Sequence, residues 1–294
     1  MKVTIVIAAF NAEKTIKKCV RTLLNQVYDK PYELIIINDG STDKTKEIAQ
    51  AYCKKHDNIT LINQFNKGVC VARNKGIQAS KGEYVINMDA DCFAEPYFIQ
   101  ELLEPFEDSR IGIVSSFDYY GGSGTAFPRK LLHKVRGYSK EFYFYREDTD
   151  LSFKIMKLGY KFKLIPRNFD HYDGVVKEKR KLNSAFKYGF ERARLHMNDV
   201  LLFKRHSNLK ECHEFFKVKF GFMISPYWDF SCATGIWDKT GETKFSLSSP
   251  RGYVFLENKN NLDILKIIGL GVCWVLLVKF FRLAASLRYG VLLI

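Results

Sequence analysis

Two carboxylates one residue apart, Asp89 and Asp91, close the apolar run Tyr84-Val85-Ile86-Asn87-Met88. A run this short, bounded by Gly82 and by acids, reads as a strand buried on both faces, which puts the acids at its C-terminal end. That end is where open α/β sheets bind ligands. Like charges leaving one strand repel each other and call for a cation or hydrogen-bond donors. A hard divalent ion, Mg2+ or Mn2+, with part of its shell left for substrate phosphates meets that need; the competing reading is a strand that merely ends in an acidic turn. A second acid group, Glu147-Asp148-Thr149-Asp150, opens a helix with Leu151, Ile155 and Leu158 on one face and Gly159 as its stop. Acids in a first turn complement the helix dipole. Three of them in a chain of net charge +14 also offer a fixed base for a substrate hydroxyl. His171, in Phe169-Asp170-His171-Tyr172-Asp173, is either a third metal ligand or a structural histidine.

These groups need a sheet to hold them. Residues 3–9 are an apolar, β-branched run, and Ile16, Cys19, Val20, Leu23 and Leu24 follow at helical spacing. Residues 34–37 are a second buried run ending in Asn38-Asp39-Gly40-Ser41-Thr42-Asp43, where Gly40 permits a tight turn and Ser41 or Thr42 is placed to cap the next helix. A third strand at 59–62 leads through Asn66-Lys67-Gly68 into a helix carrying Ala72, Arg73 and Ala79, before the strand that ends at Asp89. Four β-α units of this length predict an α/β fold with a mostly parallel, Rossmann-like sheet and helices on both faces. No GxGxxG follows the first strand and no GxxxxGK[ST] occurs, so neither a dinucleotide fingerprint nor a P-loop is present. Gly121-Gly122-Ser123-Gly124 follows a strand at 111–115 and is too glycine-dense for a helix. It is either a loop that approaches the site or a plain linker.

The 294 residues are 47% hydrophobic and 15% aromatic, enough for a large core and inconsistent with a disordered chain. Half of the positive excess falls in residues 177–220, which carry twelve Lys or Arg against five Asp or Glu. Such a balance invites a polyanionic partner, nucleic acid or an anionic membrane surface. Aromatics and cations interleave there (Phe186, Tyr188, Phe190, Arg192, Arg194), as in a helix at a membrane interface. The apolar run 267–278 is short for a spanning helix, though Lys266 and Arg282 at its ends are placed to snorkel. Membrane association is therefore expected, with the mode of insertion open. Seven cysteines without CxxC spacing suit a reduced cytosolic setting and no zinc site. The N-terminus runs straight into a strand pattern with no signal-peptide regions, which places the expected location at the cytoplasmic face of the membrane. The division expected is 1–175 for the α/β domain, 176–262 for a basic, aromatic-rich extension and 263–294 for a hydrophobic membrane-associating segment.

Five motifs stand in order over roughly residues 1–172: Ala8-Ala9-Phe10-Asn11; Asn38-Asp39-Gly40-Ser41-Thr42-Asp43; Asn66-Lys67-Gly68 with Ala72-Arg73-Asn74-Lys75-Gly76; Asp89-Ala90-Asp91; and Glu147-Asp148-Thr149-Asp150-Leu151. This order resembles the family 2 glycosyltransferases of the GT-A fold. The resemblance implies inverting transfer of a sugar from a nucleotide-diphosphate sugar to a hydroxyl acceptor, either a glycan or a lipid-linked glycan. It implies that Ala9, Asn11 and Asp39 line the nucleotide site, with Asp39 on the base, and that Arg73 contacts the base and diphosphate region. Asp91 would then be the direct metal ligand, Asp89 would lie nearer the sugar or ribose, and Asp148 would be the catalytic base. Asn38 and Cys92 stand where acids are frequent in the family, and the QxxRW of processive synthases is absent after Asp150, which favours transfer of a single sugar. Two rival readings are a nucleotide-sugar pyrophosphorylase and a basic binding module. The first should carry a glycine-rich loop where this chain has Phe10-Asn11-Ala12-Glu13, and the second lacks an RNP-like pattern, so no nucleic-acid partner is expected.

Overall fold

A computed structural model describes residues 3–117, 120–142, 144–172, 182–219, 222–223 and 261–293. The chain forms two compact units, Met1–Tyr172 and Asp173–Ile294. In the first, the elements run β1 (Val3–Ala9), α1 (Ile16–Leu24), β2 (Tyr32–Asp39), α2 (Thr45–Cys53), β3 (Ile59–Gln64), α3 (Val69–Ala79), β4 (Tyr84–Asp89), β5 (Cys92–Ala94), α4 (Phe98–Leu103), β6 (Ile111–Ser115), β7 (Thr125–Pro128), α5 (Arg129–Lys134), α6 (Glu147–Met156), β8 (Lys161–Leu164) and β9 (Phe169–His171).

Seven of these strands form one sheet in the order β3-β2-β1-β4-β7-β6-β8. The four expected β-α units give parallel strands β1 to β4, with Ala8 opposite Asp89, Ala9 opposite Asn38 and Asp39 opposite Gln64. The carboxyl ends of four strands therefore lie side by side. Alternation along β1 explains why the sheet carries helices on both faces: Ile5 and Ile7 face one core with α1 and α4, while Val6 faces the other with α3, α5 and α6. All three are fully buried, each worth about 1.5–3 kcal/mol of apolar transfer. On the second face α3 comes unusually close, because a Cβ on Gly76 would sit 2.2 Å from Val6 Cγ1. Only glycine allows that approach, and it seats Arg73, one turn earlier, over the strand ends.

Periodicity did not reveal β7, which inserts antiparallel between β4 and β6, nor the short antiparallel pair β5–β9. Two local expectations are corrected. Neither Ser41 nor Thr42 caps α2, whose N-cap position is Lys44: Asp43 Oδ1 accepts from the Thr45 amide at 3.0 Å, while Ser41 Oγ and the Thr42 amide bond to the Asn11 amide and side chain. Leu158 lies beyond the end of α6 and is exposed rather than on its buried face.

The second unit contains α7 (Leu182–Arg194), α8 (Met197–His206), α9 (Lys210–Phe216), the hairpin β10 (Val218–Lys219) and β11 (Phe222–Met223), and α10 (Asn261–Tyr289). The expected apolar run 267–278 is thus the middle of a 29-residue helix. Among the described residues no helix is long and apolar enough to cross a membrane. Arg282 does not snorkel. Its Nε and Nη2 donate to Asp199 Oδ2 on α8 at 3.0 and 2.8 Å, with both side chains buried and His196 Nδ1 beside them. The reason is energetic, since a cation in the last third of a packed helix is stable only with a buried partner. The side chain of Lys266, the whole basic stretch 177–181, and Cys232 lie outside the described residues, and none of the six described cysteines is in a disulfide. Arg282→Ala should leave the Asp199 carboxylate buried without its guanidinium partner and cost about 3–5 kcal/mol. Urea unfolding of this variant beside Arg282→Met/Asp199→Leu, which should recover most of that loss, checks it.

Candidate active site

Arg73 projects from α3 into the ends of the central strands, with its side chain only 5% exposed. Nη2 reaches Asp89 Oδ1 at 2.8 Å, Nη1 reaches Asp148 Oδ1 at 2.9 Å, and Glu147 Oε1 lies 3.6 Å from Nη1. One guanidinium thus ties the acid at the end of β4 to both acids at the start of α6. Burial works against the cation, but Asp148, Tyr138, Asp89 and Glu147 around it hold its pKa well above the ordinary arginine value. The carboxylates of Asp89, Asp148 and Glu147 are the partners of Arg73 in this structure.

Tyr138, which sequence reasoning did not single out, completes the cluster. Its hydroxyl accepts from Asn87 Nδ2 at 2.6 Å and donates to Asp148 Oδ1 at 3.1 Å, and its ring lies 5.3 Å from the Arg73 guanidinium carbon. Asn74 fixes it in turn, exchanging hydrogen bonds with both backbone groups of Tyr138 at 2.8 and 2.9 Å. Asn74 is the neighbour of Arg73 in the quoted motif, the one signal that pointed here. Both donors fall on Oδ1 of Asp148; among the described residues Oδ2 makes no hydrogen bond, and the side chain is 21% exposed.

The glycine-rich stretch is a loop at the site. A Cβ on Gly121 (φ +124°) would stand 2.8 Å from Asp148 Cβ, so neither conformation nor space admits a side chain there. Ser123 Oγ accepts from the Asp89 amide at 2.9 Å. The insertion of β7 beside β4 is what brings this loop in, since Thr125 pairs with Asn87.

Asp91 points the other way. Its Oδ2 is 3.5 Å from His171 Nε2, because pairing of β5 with β9 sets Cys92 opposite His171 and the Tyr172 amide donates to the Asp91 carbonyl at 2.8 Å. Ligand atoms of Asp91, Cys92 and His171 all lie within 4.8 Å of one another. A carboxylate and an imidazole suit Mn2+ or a related divalent ion. The buried Cys92 thiol, pushed well up by burial and by Asp89, stays a proton-bearing neighbour 3.8 Å from Asp91 Oδ1. Burial, then Asp89, raises the Asp91 pKa, while His171 pulls it back. Asp89 is outside this trio and belongs to Arg73.

Asp39 is buried, and its oxygens accept from Gln64 Nε2 (2.7 Å) and from the amides of Lys67 and Gly68 (both 2.9 Å). Three of about four lone-pair sites are thereby used in holding the turn that feeds α3. Ala9 ends β1, and Asn11 (φ +49°) bridges to the β2 loop through Ser41 and Thr42, so the two loops form one wall.

A mostly parallel sheet with acids gathered at its carboxyl ends, an antiparallel insert and a second acid pair on a following helix define the GT-A class of fold. Residues 4–172 match the family described as glycosyl transferase family 2. The chain belongs to that family. It is 35% identical over 115 residues to the putative glycosyltransferase EpsH of Bacillus subtilis, a match covering 39% of this chain and 33% of that protein. The chain thus spans about a third of that relative's length. Among solved structures it resembles the mannosyltransferase PcManGT of Pyrobaculum calidifontis in complex with GDP-Man and Mn2+ (TM-score 0.60, 17% identity, 98% of this chain and 87% of that one). It also resembles S. aureus TarS 1–349 in complex with UDP (TM-score 0.53, 16% identity, 99% and 92%). The match over residues 4–172 favours the glycosyltransferase reading of the first unit over the pyrophosphorylase reading; the binding-module reading concerned the segment after Lys177, beyond the matched residues.

Burial, and next Asp148, push the Glu147 carboxyl up to about 7 although Arg73 opposes them. A raised folded-state pKa means that folded Glu147 keeps its proton where the unfolded chain has released it. Its contribution to stability therefore falls as pH rises from about 4.5 to about 7 and is flat above. Glu147→Gln should flatten that part of the stability profile, a tenfold difference in proton affinity between folded and unfolded chain being worth roughly 1.4 kcal/mol; urea midpoints at several pH values between those limits measure it.

Proposed function

We propose that the first unit transfers one sugar, with inversion, from a nucleotide-diphosphate sugar to a hydroxyl of a glycan or lipid-linked glycan. The observation that carries this reading is Asp148, whose Oδ1 is held by two donors at the carboxyl edge of the sheet while its Oδ2 makes no hydrogen bond among the described residues. In the step envisaged, the acceptor hydroxyl gives its proton to Asp148 Oδ2 as its oxygen bonds to the anomeric carbon. The bond from that carbon to the diphosphate breaks on the opposite face, and one displacement gives inversion. Asp91 and His171 would hold Mg2+ or Mn2+, whose charge offsets that of the departing diphosphate. Asp89, pinned by Arg73, is placed for sugar or ribose hydroxyls, and Asp39 with Ala9 and Asn11 forms the nucleotide wall. Asp39 has one lone-pair site left for a base N–H, so its first task is to hold the loop. GDP-Man in one structural neighbour and UDP in the other support a nucleotide-sugar donor here.

Arg73 and Tyr138 position the base. Tyr138→Phe should lower kcat several-fold with donor affinity unchanged, because one of two donors on Asp148 is lost; steady-state kinetics beside donor calorimetry tests the split.

Screening UDP-, GDP- and dTDP-sugars for Mn2+-dependent transfer or hydrolysis identifies the donor. With that donor, Asp148→Asn should reduce turnover by about 10²–10⁴-fold, the usual size of a general-base contribution, and leave donor binding near wild type. Asp91→Asn should abolish metal dependence, whereas Glu147→Gln should retain most activity. Equal, small losses in Asp148→Asn and Glu147→Gln would remove Asp148 from the role of base.

A further inference from the structure

Helix α10 is apolar on the side that faces water. Leu265, Val272, Leu276, Phe280, Leu283 and Leu287 are exposed by 44–79%, and their spacing of mostly three, four or seven residues keeps them on one side of a helix. Between the first and last the stripe runs about 33 Å at 1.5 Å per residue. The opposite side is already occupied: Val278, Phe281, Arg282, Ala285 and Ser286 are buried, with Arg282 held by Asp199 of α8. A surface helix of a water-soluble domain carries polar residues on its outer face; this one carries leucines, a patch of the kind that marks an interaction site.

The charges around the stripe say what covers it. In the described part of the unit, Lys187, Arg194, Lys204, Lys210, Lys217 and Arg288 are exposed against the exposed acids Glu191 and Glu214. Lys204 and Arg288 flank the Tyr289 ring at 5.9 and 5.5 Å, at the end of the stripe next to Leu287. An aromatic ring between two cations beside exposed leucine is the composition of a membrane interface. A second copy of the same cationic unit would bring like charges together, whereas anionic headgroups attract them.

We propose that α10 lies in the plane of an anionic membrane surface, its stripe in the headgroup–acyl boundary and Lys204, Arg288 and Tyr289 at the level of the phosphates. The ion pair to α8 fixes the helix sideways against its own unit, which suits lying on the bilayer rather than crossing it. The inference is independent of the transferase chemistry.

Co-sedimentation of the full chain with phosphatidylcholine vesicles, neutral or enriched in phosphatidylglycerol, tests it. The wild type should bind the anionic vesicles. Leu276→Asp/Leu283→Asp should weaken that partition by about tenfold or more, with unchanged circular dichroism and melting. Lys204→Glu/Arg288→Glu should abolish the preference for phosphatidylglycerol. Should the double leucine variant fail to fold, Leu287→Asp, the most exposed of the set, gives the same readout. Wild-type protein that ignores anionic vesicles, or binding that survives loss of the leucines, overturns the proposal. So does light scattering that shows a wild-type dimer dissolved by the leucine substitutions while vesicles are left alone, which would give the stripe to a second copy of the chain.

Discussion

Arg73 is the constraint on which the first unit turns. A guanidinium removed from water needs carboxylates around it, and three carboxylates gathered in one crevice need a cation. The two requirements are met together by side chains from three separate elements: Arg73 on α3, Asp89 at the end of β4, and Glu147 and Asp148 on α6. Removing the guanidinium would leave these acids facing one another without a cation. Much else in the unit keeps this geometry in place. Gly76 brings α3 close to β1, Asp39 holds the turn that precedes α3, and Asn74 and Tyr138 tie α3 to the segment before α6.

This arrangement divides the acids by role through environment alone. Asp148 is engaged on one oxygen and open on the other; Glu147, adjacent in sequence, is buried and holds its proton to about 7. Asp89 faces the arginine and Asp91, two residues on, faces His171. The antiparallel insert β7 and the β5–β9 pair, neither of them part of the parallel core, make the difference. The first delivers the glycine loop against Asp148, and the second delivers a histidine to Asp91. The parallel strands supply a platform, and the irregular additions set the surroundings of Asp148 and Asp91.

In the second unit the same rule acts with opposite surroundings. Arg282 and Asp199 neutralise each other inside a helical packing, and a buried ion pair of this kind specifies which face of α10 turns inward. The apolar residues left outside are then a consequence of orientation as well as of composition.

The alternation and turn residues of the first 90 positions were enough to read four parallel strands with their helices, because each β-α unit is specified by short-range pattern. The acids at strand and helix ends were equally legible, since a charge next to an apolar run is visible without knowing the fold. What the chain could not display was partnership at long range. Arg73 meets Asp148 across 75 positions and Asp91 meets His171 across 80, and no local periodicity encodes such distances. Tyr138 looked like one aromatic among sixteen tyrosines, and becomes an orienting donor only where Asn74 holds its backbone. Arg282 looked like the polar end of an apolar run. Tertiary packing instead buried it, because Asp199 on a neighbouring helix offered a desolvated cation a carboxylate partner that makes burial tolerable, and which side of α10 faces water was decided by that contact rather than by the helix's own sequence.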